Sequence, residues 1–129
     1  MAKKVAFDFY NVLYDKESGE VSQDVLNVVK DLSKNGFEVY LFTNSSIDFL
    51  KKNDLKIPFI KYFRKIISCN EYRKPSKEAF EKLVNEIKCE YGDIIMIDDS
   101  ERNVKEGQKL GIIGVQYTDV GSLRKFFGV

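Results

Sequence analysis

Apolar and polar positions along this chain fall into short blocks whose period switches between that of a strand and that of a helix. Val5-Ala6-Phe7 is an apolar run that ends in Asp8 and breaks into a polar turn before Asp15, the pattern of a short buried strand. Lys16-Glu17-Ser18-Gly19-Glu20 reads as a polar loop. Ser22 then suits the N-cap of a helix whose Val25, Val28, Val29 and Leu32 form one apolar stripe, with Gly36 just past its end. A second buried strand is predicted over 37–42, rich in β-branched and aromatic residues, and it runs into the polar tip Thr43-Asn44-Ser45-Ser46. That tip supplies caps for a helix with a short apolar face of Ile47, Leu50 and Leu55.

From Asn53 to Asn70 no clean period is present and Pro58 interrupts the chain, so the expectation is a loop, a helical turn and a short strand over 65–68. Lys74-Pro75-Ser76 opens the clearest helix, with Phe80, Leu83, Val84 and Ile87 on one face. Ile94-Ile95-Met96-Ile97 is continuously apolar, as a central parallel strand should be, and it stops at Asp98-Asp99-Ser100. A helix through Val104 and Leu110 ends at Gly111, a strand follows over 112–116, and a last helix carries Leu123, Phe126 and Phe127. This alternation predicts a doubly wound, Rossmann-like α/β domain: a parallel sheet of about five strands flanked by helices. No repeat or linker-like stretch divides the chain, so residues 1–129 are expected to form one domain.

Composition narrows the chemistry. Lys+Arg 21 against Asp+Glu 20 gives a net charge of +1, which offers nucleic acid or an anionic membrane no strong attraction. No apolar run approaches the roughly 20 residues of a membrane span. Met1-Ala2-Lys3-Lys4 precedes Asp8 without a signal-type apolar stretch, so the expected location is cytoplasmic. Two cysteines, Cys69 and Cys89, are too few for a disulfide framework or a zinc site and fit reduced thiols. With His 0, imidazole ligands and Ser-His or Cys-His nucleophiles are excluded. The remaining tools are carboxylates, hydroxyls, lysines and a hard metal.

Four polar features fall at predicted strand ends or helix starts: Asp8, Thr43, Lys74 and Asp98-Asp99. In a parallel sheet the carboxyl ends of neighbouring strands share one edge, so these groups can meet. Carboxylates hold Mg²⁺, a hydroxyl and an ammonium orient phosphoryl oxygens, and a carboxylate can attack phosphorus. Each feature also has an ordinary explanation. A strand-end Asp can serve a turn, Thr43-Asn44-Ser45-Ser46 can simply cap a helix, and most lysines are solvated. Adjacent acids after an apolar strand are harder to dismiss, because they repel one another without a cation or partner.

The order of these features resembles the haloacid dehalogenase-like (HAD) hydrolase superfamily across almost the whole chain. VAFDFYNVLYD is similar to its first motif, VYLFTNSS to its second, RKPSKEAFEKL to its third and IIMIDDSERNVKEGQKLGIIGV to its fourth. The resemblance implies that Asp8 is the nucleophile, forming an aspartyl-phosphate and binding Mg²⁺. The backbone carbonyl of Tyr10 is then a second metal ligand, and Asp98 with Asp99 completes the metal site. Thr43, Asn44 and Lys74 are the implied phosphate-binding residues, Asn103 a supporting group, and Asp15 a residue that fixes the turn.

Two departures stand out. Tyr10 occupies the position where family phosphatases carry a second Asp, the general acid and base. Such a group contributes about 10²–10⁴ in rate; a phenol with pKa near ~10 can donate a proton but is a poor base at neutral pH. No cap domain fits either gap between motifs, and capless members act on bulky substrates such as phosphoproteins or borrow a lid from another subunit. The resemblance therefore implies a capless Mg²⁺-dependent phosphatase or phosphotransferase, slowed by Tyr10, acting on a phosphorylated and even macromolecular substrate, with oligomerisation open. Two other readings stay open. One is a HAD-fold module that binds a phosphorylated partner with little turnover. The other is a 2-haloacid dehalogenase-like enzyme, since those enzymes carry Tyr at this position, although their fourth motif resembles Ser-x-Asn rather than Asp98-Asp99.

Overall fold

A parallel sheet with helices on both faces organises the computed structural model, which describes residues 4–129. In chain order its elements are β1 (Lys4–Phe7), β2 (Tyr14–Asp15), β3 (Glu20–Val21), α1 (Gln23–Lys34), β4 (Glu38–Thr43), α2 (Ile47–Asp54), β5 (Ile66–Ser68), α3 (Lys77–Ile87), β6 (Ile94–Asp98), α4 (Glu101–Leu110), β7 (Ile113–Gln116) and α5 (Val120–Phe127). The main sheet has the order β5-β4-β1-β6-β7 and all its pairings are parallel. Strand β1 lies at the centre, where the winding direction reverses, and at such a switch point the strand ends leave a crevice.

Alternation along β1 splits the core between the two faces. Val5 and Phe7 pack with Val25, Val28, Val29 and Leu32 of α1 and with Leu123 of α5. Ala6 packs on the other side with Tyr40, Phe42 and Met96 of the sheet, Phe80 and Leu83 of α3 and Val104 of α4. Each large apolar side chain buried here contributes about 1.5–3 kcal/mol. Gly114 lets β7 lie against α4, since a Cβ there would sit 2.8 Å from Val104 Cγ1. Helix ends follow the sequence: Ser22, Ser46 and Ser76 cap α1, α2 and α3 through their side chains, and Gly111 ends α4 with a φ of 107°.

Two expectations change. Residues 16–20 form the turn of a small antiparallel hairpin, β2–β3, rather than a plain loop; Asp15 accepts the Glu17 amide at 2.9 Å and Gly19 takes a positive φ there. The face of α2 is not Ile47, Leu50 and Leu55: Leu50 and Asn53 are buried, Ile47 is exposed and Leu55 is 87% exposed. The helix stops before Leu55 because Asp54 accepts the Phe59 and Ile60 amides, turning the chain so that Phe59 fills the core instead. Pro75 lies at the start of α3 as expected, directly before the capping Ser76. The irregular middle segment does hold a single 3-10 turn (Ile60–Tyr62) before β5, as expected.

Neither gap houses a cap domain. Between β1 and β4 lie only the hairpin and α1, and between β4 and α3 only α2, the 3-10 turn and β5. Among the described residues no helix is long and apolar enough to cross a membrane. Met1 to Lys3 lie outside the described residues, so the reading of the extreme N-terminus stands as an expectation.

Candidate active site

Register brings the chemistry together. Phe7 pairs with Leu41 on one side and Ile97 on the other, so Asp8 and Asp98 each follow a matched pair at the carboxyl edge. The Asp8 amide donates to the Ile97 carbonyl at 2.9 Å, which extends the ladder one step and fixes Asp8 against β6. Thr43 ends β4 on the other flank and is buried. Lys74 arrives from the segment before α3, and its Nζ donates to Asp8 Oδ1 at 3.1 Å, Asp98 Oδ2 at 2.8 Å and the Phe42 carbonyl at 2.7 Å. These groups border a cavity of about 570 Å³ that also includes Tyr10, Asn44 and Asp99. Asp8, Tyr10, Thr43, Asn44, Lys74, Asp98 and Asp99, the site residues expected from the sequence, thus border one cavity.

Burial sets its electrostatics. Lys74 faces two buried carboxylates, and burial alone would lower its pKa, but Asp8 and Asp98 outweigh that and hold its ammonium above the ordinary 10.5. Asp8 moves up from 3.8 to about 7, chiefly through burial and further through Asp98, against the pull of Lys74. Asp98 is pinned on both oxygens: Oδ1 accepts the Ser100 amide at 2.9 Å and Oδ2 accepts the Asn103 amide at 3.2 Å as well as Lys74.

A divalent cation fits this donor set. Carboxylate oxygens of Asp8, Asp98 and Asp99 lie within 4.8 Å of one another, which is close for three acids with one buried ammonium. All are hard oxygen donors, as Mg²⁺ prefers. The raised Asp8 pKa gives a signed expectation. Below 3.8 Asp8 is protonated in the folded and unfolded chain alike and affects stability little. As pH rises from there to about 7 the unfolded chain ionises first, so metal-free stability falls, and the loss is complete above that value. A Mg²⁺ ion bound at these carboxylates would compete with that proton. Its stabilising shift in melting temperature should therefore be larger at pH 8 than at pH 5.5, as differential scanning fluorimetry can measure; an equal shift would rule out proton competition at Asp8.

The other predicted residues take distinct places. Asn44 clasps the Lys74 backbone, accepting its N–H at 2.6 Å and donating to its carbonyl at 3.3 Å, so the Asn44 side chain positions the lysine. Thr43 Oγ1 accepts the Ser45 amide at 3.0 Å, which leaves its own proton without an acceptor among the described residues. Asn103 supports Asp98, and Asp15 holds the hairpin turn, both as anticipated. Tyr10 is 45% exposed at the cavity mouth, its ring stacked on Tyr14. Arg73 also borders the cavity and donates to the Asn44 carbonyl at 3.4 Å. Sequence reasoning missed it, although its place beside Lys74 in the third motif was the available signal. Both cysteines are free.

The sequence model of haloacid dehalogenase-like hydrolases matches residues 10–111, most of the chain. This chain belongs to that hydrolase family. The match begins two residues beyond Asp8 and spans Thr43, Lys74 and Asp98. No curated protein sequence matches this HAD hydrolase. An uncharacterized protein from Corynebacterium glutamicum superimposes with a TM-score of 0.79 at 21% identity, over 100% of this chain and 97% of the other. A HAD family enzyme from Bacteroides thetaiotaomicron, solved with magnesium and inorganic phosphate, gives 0.77 at 18% identity, over 92% and 95%. L-2-haloacid dehalogenase from Xanthobacter autotrophicus, with chloropropionic acid covalently bound, gives 0.80 at 11% identity, over 99% and 83%. At these identities the likeness is one of fold.

Proposed function

We propose that this HAD hydrolase is a Mg²⁺-dependent phosphatase or phosphotransferase that works through an aspartyl-phosphate on Asp8. The observation that carries this reading is the Lys74 ammonium held between Asp8 and Asp98, with Asp99 near enough to share a cation with both. Asp8, Asp98, Asp99 and the Tyr10 carbonyl would hold Mg²⁺. When bound, it neutralises phosphoryl charge and leaves Asp8 ionised at neutral pH.

Lys74 keeps its proton and lies against Asp8, where it can pair with a phosphoryl oxygen. Thr43 has a hydroxyl proton to donate beside it. Asp8 attacks phosphorus; the Oδ–P bond forms as the bond to the leaving oxygen breaks. Water, or an acceptor alcohol in a transferase, then takes the phosphoryl group and restores the carboxylate. Tyr10 brings no carboxylate to either step, so turnover is expected to be slow on esters with poor leaving groups. Without a cap over the cavity, a phosphorylated macromolecule can reach Asp8. The two unpaired cysteines favour a cytoplasmic setting.

Tyr10 also favours a second reading, a module that binds a phosphorylated partner and scarcely turns it over. The first experiment addresses what both readings share. Calorimetric titration with Mg²⁺ should show binding that Asp98→Ala weakens by about tenfold or more. Beryllium fluoride should then bind in the presence of Mg²⁺, and Lys74→Ala should weaken that binding. Equal Mg²⁺ affinity in wild type and Asp98→Ala would remove Asp98 from the metal site. Turnover on a panel of phosphate esters separates enzyme from binder.

A further inference from the structure

The cavity mouth is more aromatic than phosphate binding requires. Tyr10 and Phe49 both line it. The Tyr10 ring stacks on Tyr14 with centroids 5.5 Å apart and planes at 29°. Tyr14 in turn stacks on Phe9 at 5.3 Å and meets Phe49 edge-on at 5.6 Å. Phe9 is fully buried and stacks on Phe59 at 5.1 Å. A ladder of rings therefore runs from the core to the mouth, beginning one residue from the nucleophile, and ends in a ring that is 45% exposed. The Tyr10 hydroxyl has no hydrogen-bond partner among the described residues. A large ring backed by a fixed neighbour and open to solvent on the cavity side is a stacking platform.

We propose that Tyr10 is a specificity-determining residue that stacks on an aromatic leaving group, and that the substrates are aryl phosphate monoesters. This inference rests on the phosphatase reading of the Asp8 site and deepens it. A second property of the same residue agrees with it. A phenolic leaving group, with pKa near ~10, departs with far less help from a general acid than an alkoxide needs. In the reaction Asp8 Oδ bonds to phosphorus, the phosphorus–aryl oxygen bond breaks, and the phenolate keeps that electron pair and is protonated by solvent. Water then cleaves the aspartyl-phosphate, releasing inorganic phosphate. One position thus replaces a proton donor with a surface that selects substrates in far less need of one.

Non-hydrolysable phosphonates test the stacking without relying on turnover. With Mg²⁺ present, benzylphosphonate should bind wild type about three- to tenfold more tightly than butylphosphonate, the range expected of one aromatic pair. Tyr10→Leu should erase that preference, and Tyr10→Phe should keep it, because the ring and not the hydroxyl makes the contact. If inorganic phosphate binds but the two phosphonates bind alike, or if Tyr10→Leu retains the preference, the aryl proposal is overturned while the phosphatase reading stands. Failure of inorganic phosphate and both phosphonates to bind overturns the two together. The source of the aryl phosphate shows in a further arm. Phosphonomethyl-phenylalanine bound more tightly within a short peptide than as the free amino acid marks a protein-borne phosphotyrosine. Equal affinity marks a small aryl phosphate, and weaker affinity than butylphosphonate in both forms counts against aryl recognition.

Discussion

Asp8→Asn is expected to abolish turnover of every phosphate ester while raising the melting temperature of the metal-free protein at pH 8. The first effect follows from the loss of the proposed nucleophile, which should lower the rate by at least about 10³. The second follows from burial: two buried carboxylates share one ammonium, and Asp8 is pushed up to about 7 for that reason. Removing its charge leaves Lys74 with Asp98 and the Phe42 carbonyl as partners, so no uncompensated charge remains. The gain should be about 1–3 kcal/mol above pH 7 and should vanish below the ordinary carboxylate range, where Asp8 is protonated anyway. Thermal melts of both proteins at pH 4 and pH 8, without metal, check the sign. A variant less stable than wild type at pH 8 would mean that the ion pair with Lys74 outweighs burial.

Tyr10→Asp is the complementary gain of function. It places a carboxylate two residues from Asp8, and hydrolysis of an alkyl phosphate should rise by up to about 10². An aryl ester should gain less, because its leaving group needs little protonation and the stacking surface is lost in the same change. Asp8→Asn should remove the activity in both backgrounds. Steady-state kinetics on matched alkyl and aryl esters decides the point. If the folded, Mg²⁺-binding variant gains nothing on any ester, Tyr10 is not the only missing part and the binding module becomes the better reading.

Strand ends and helix caps were legible because they depend on neighbours in sequence. Ile94-Ile95-Met96-Ile97 before Asp98 reads as a buried strand ending in charge, and the structure has β6 there with Asp98 fully buried. Ser22 and Gly36 bound α1 by purely local hydrogen bonding and backbone freedom. What stayed hidden depends on distant partners. Leu55 looked like an inward position until Asp54 turned the chain and gave that space to Phe59. The β2–β3 hairpin is stabilised by Asp15 and by Tyr14 packing on Phe9, neither of which has a period to detect. At the site, residue types pointed to Asp8, Thr43, Lys74 and Asp98, but not to the clasp between Asn44 and Lys74. Those two are 30 positions apart and meet only when β4 and the segment before α3 reach the same edge.

That clasp has a consequence for preorganisation. A free lysine side chain loses about 1.5–2 kcal/mol of rotational freedom when it is immobilised. In this fold Asn44 fixes the backbone of Lys74, and three acceptors fix its ammonium. The freedom is therefore lost once, as the chain folds; on the phosphatase reading, an arriving phosphoryl group would meet a cation already placed and would draw on the N–H now given to Asp8.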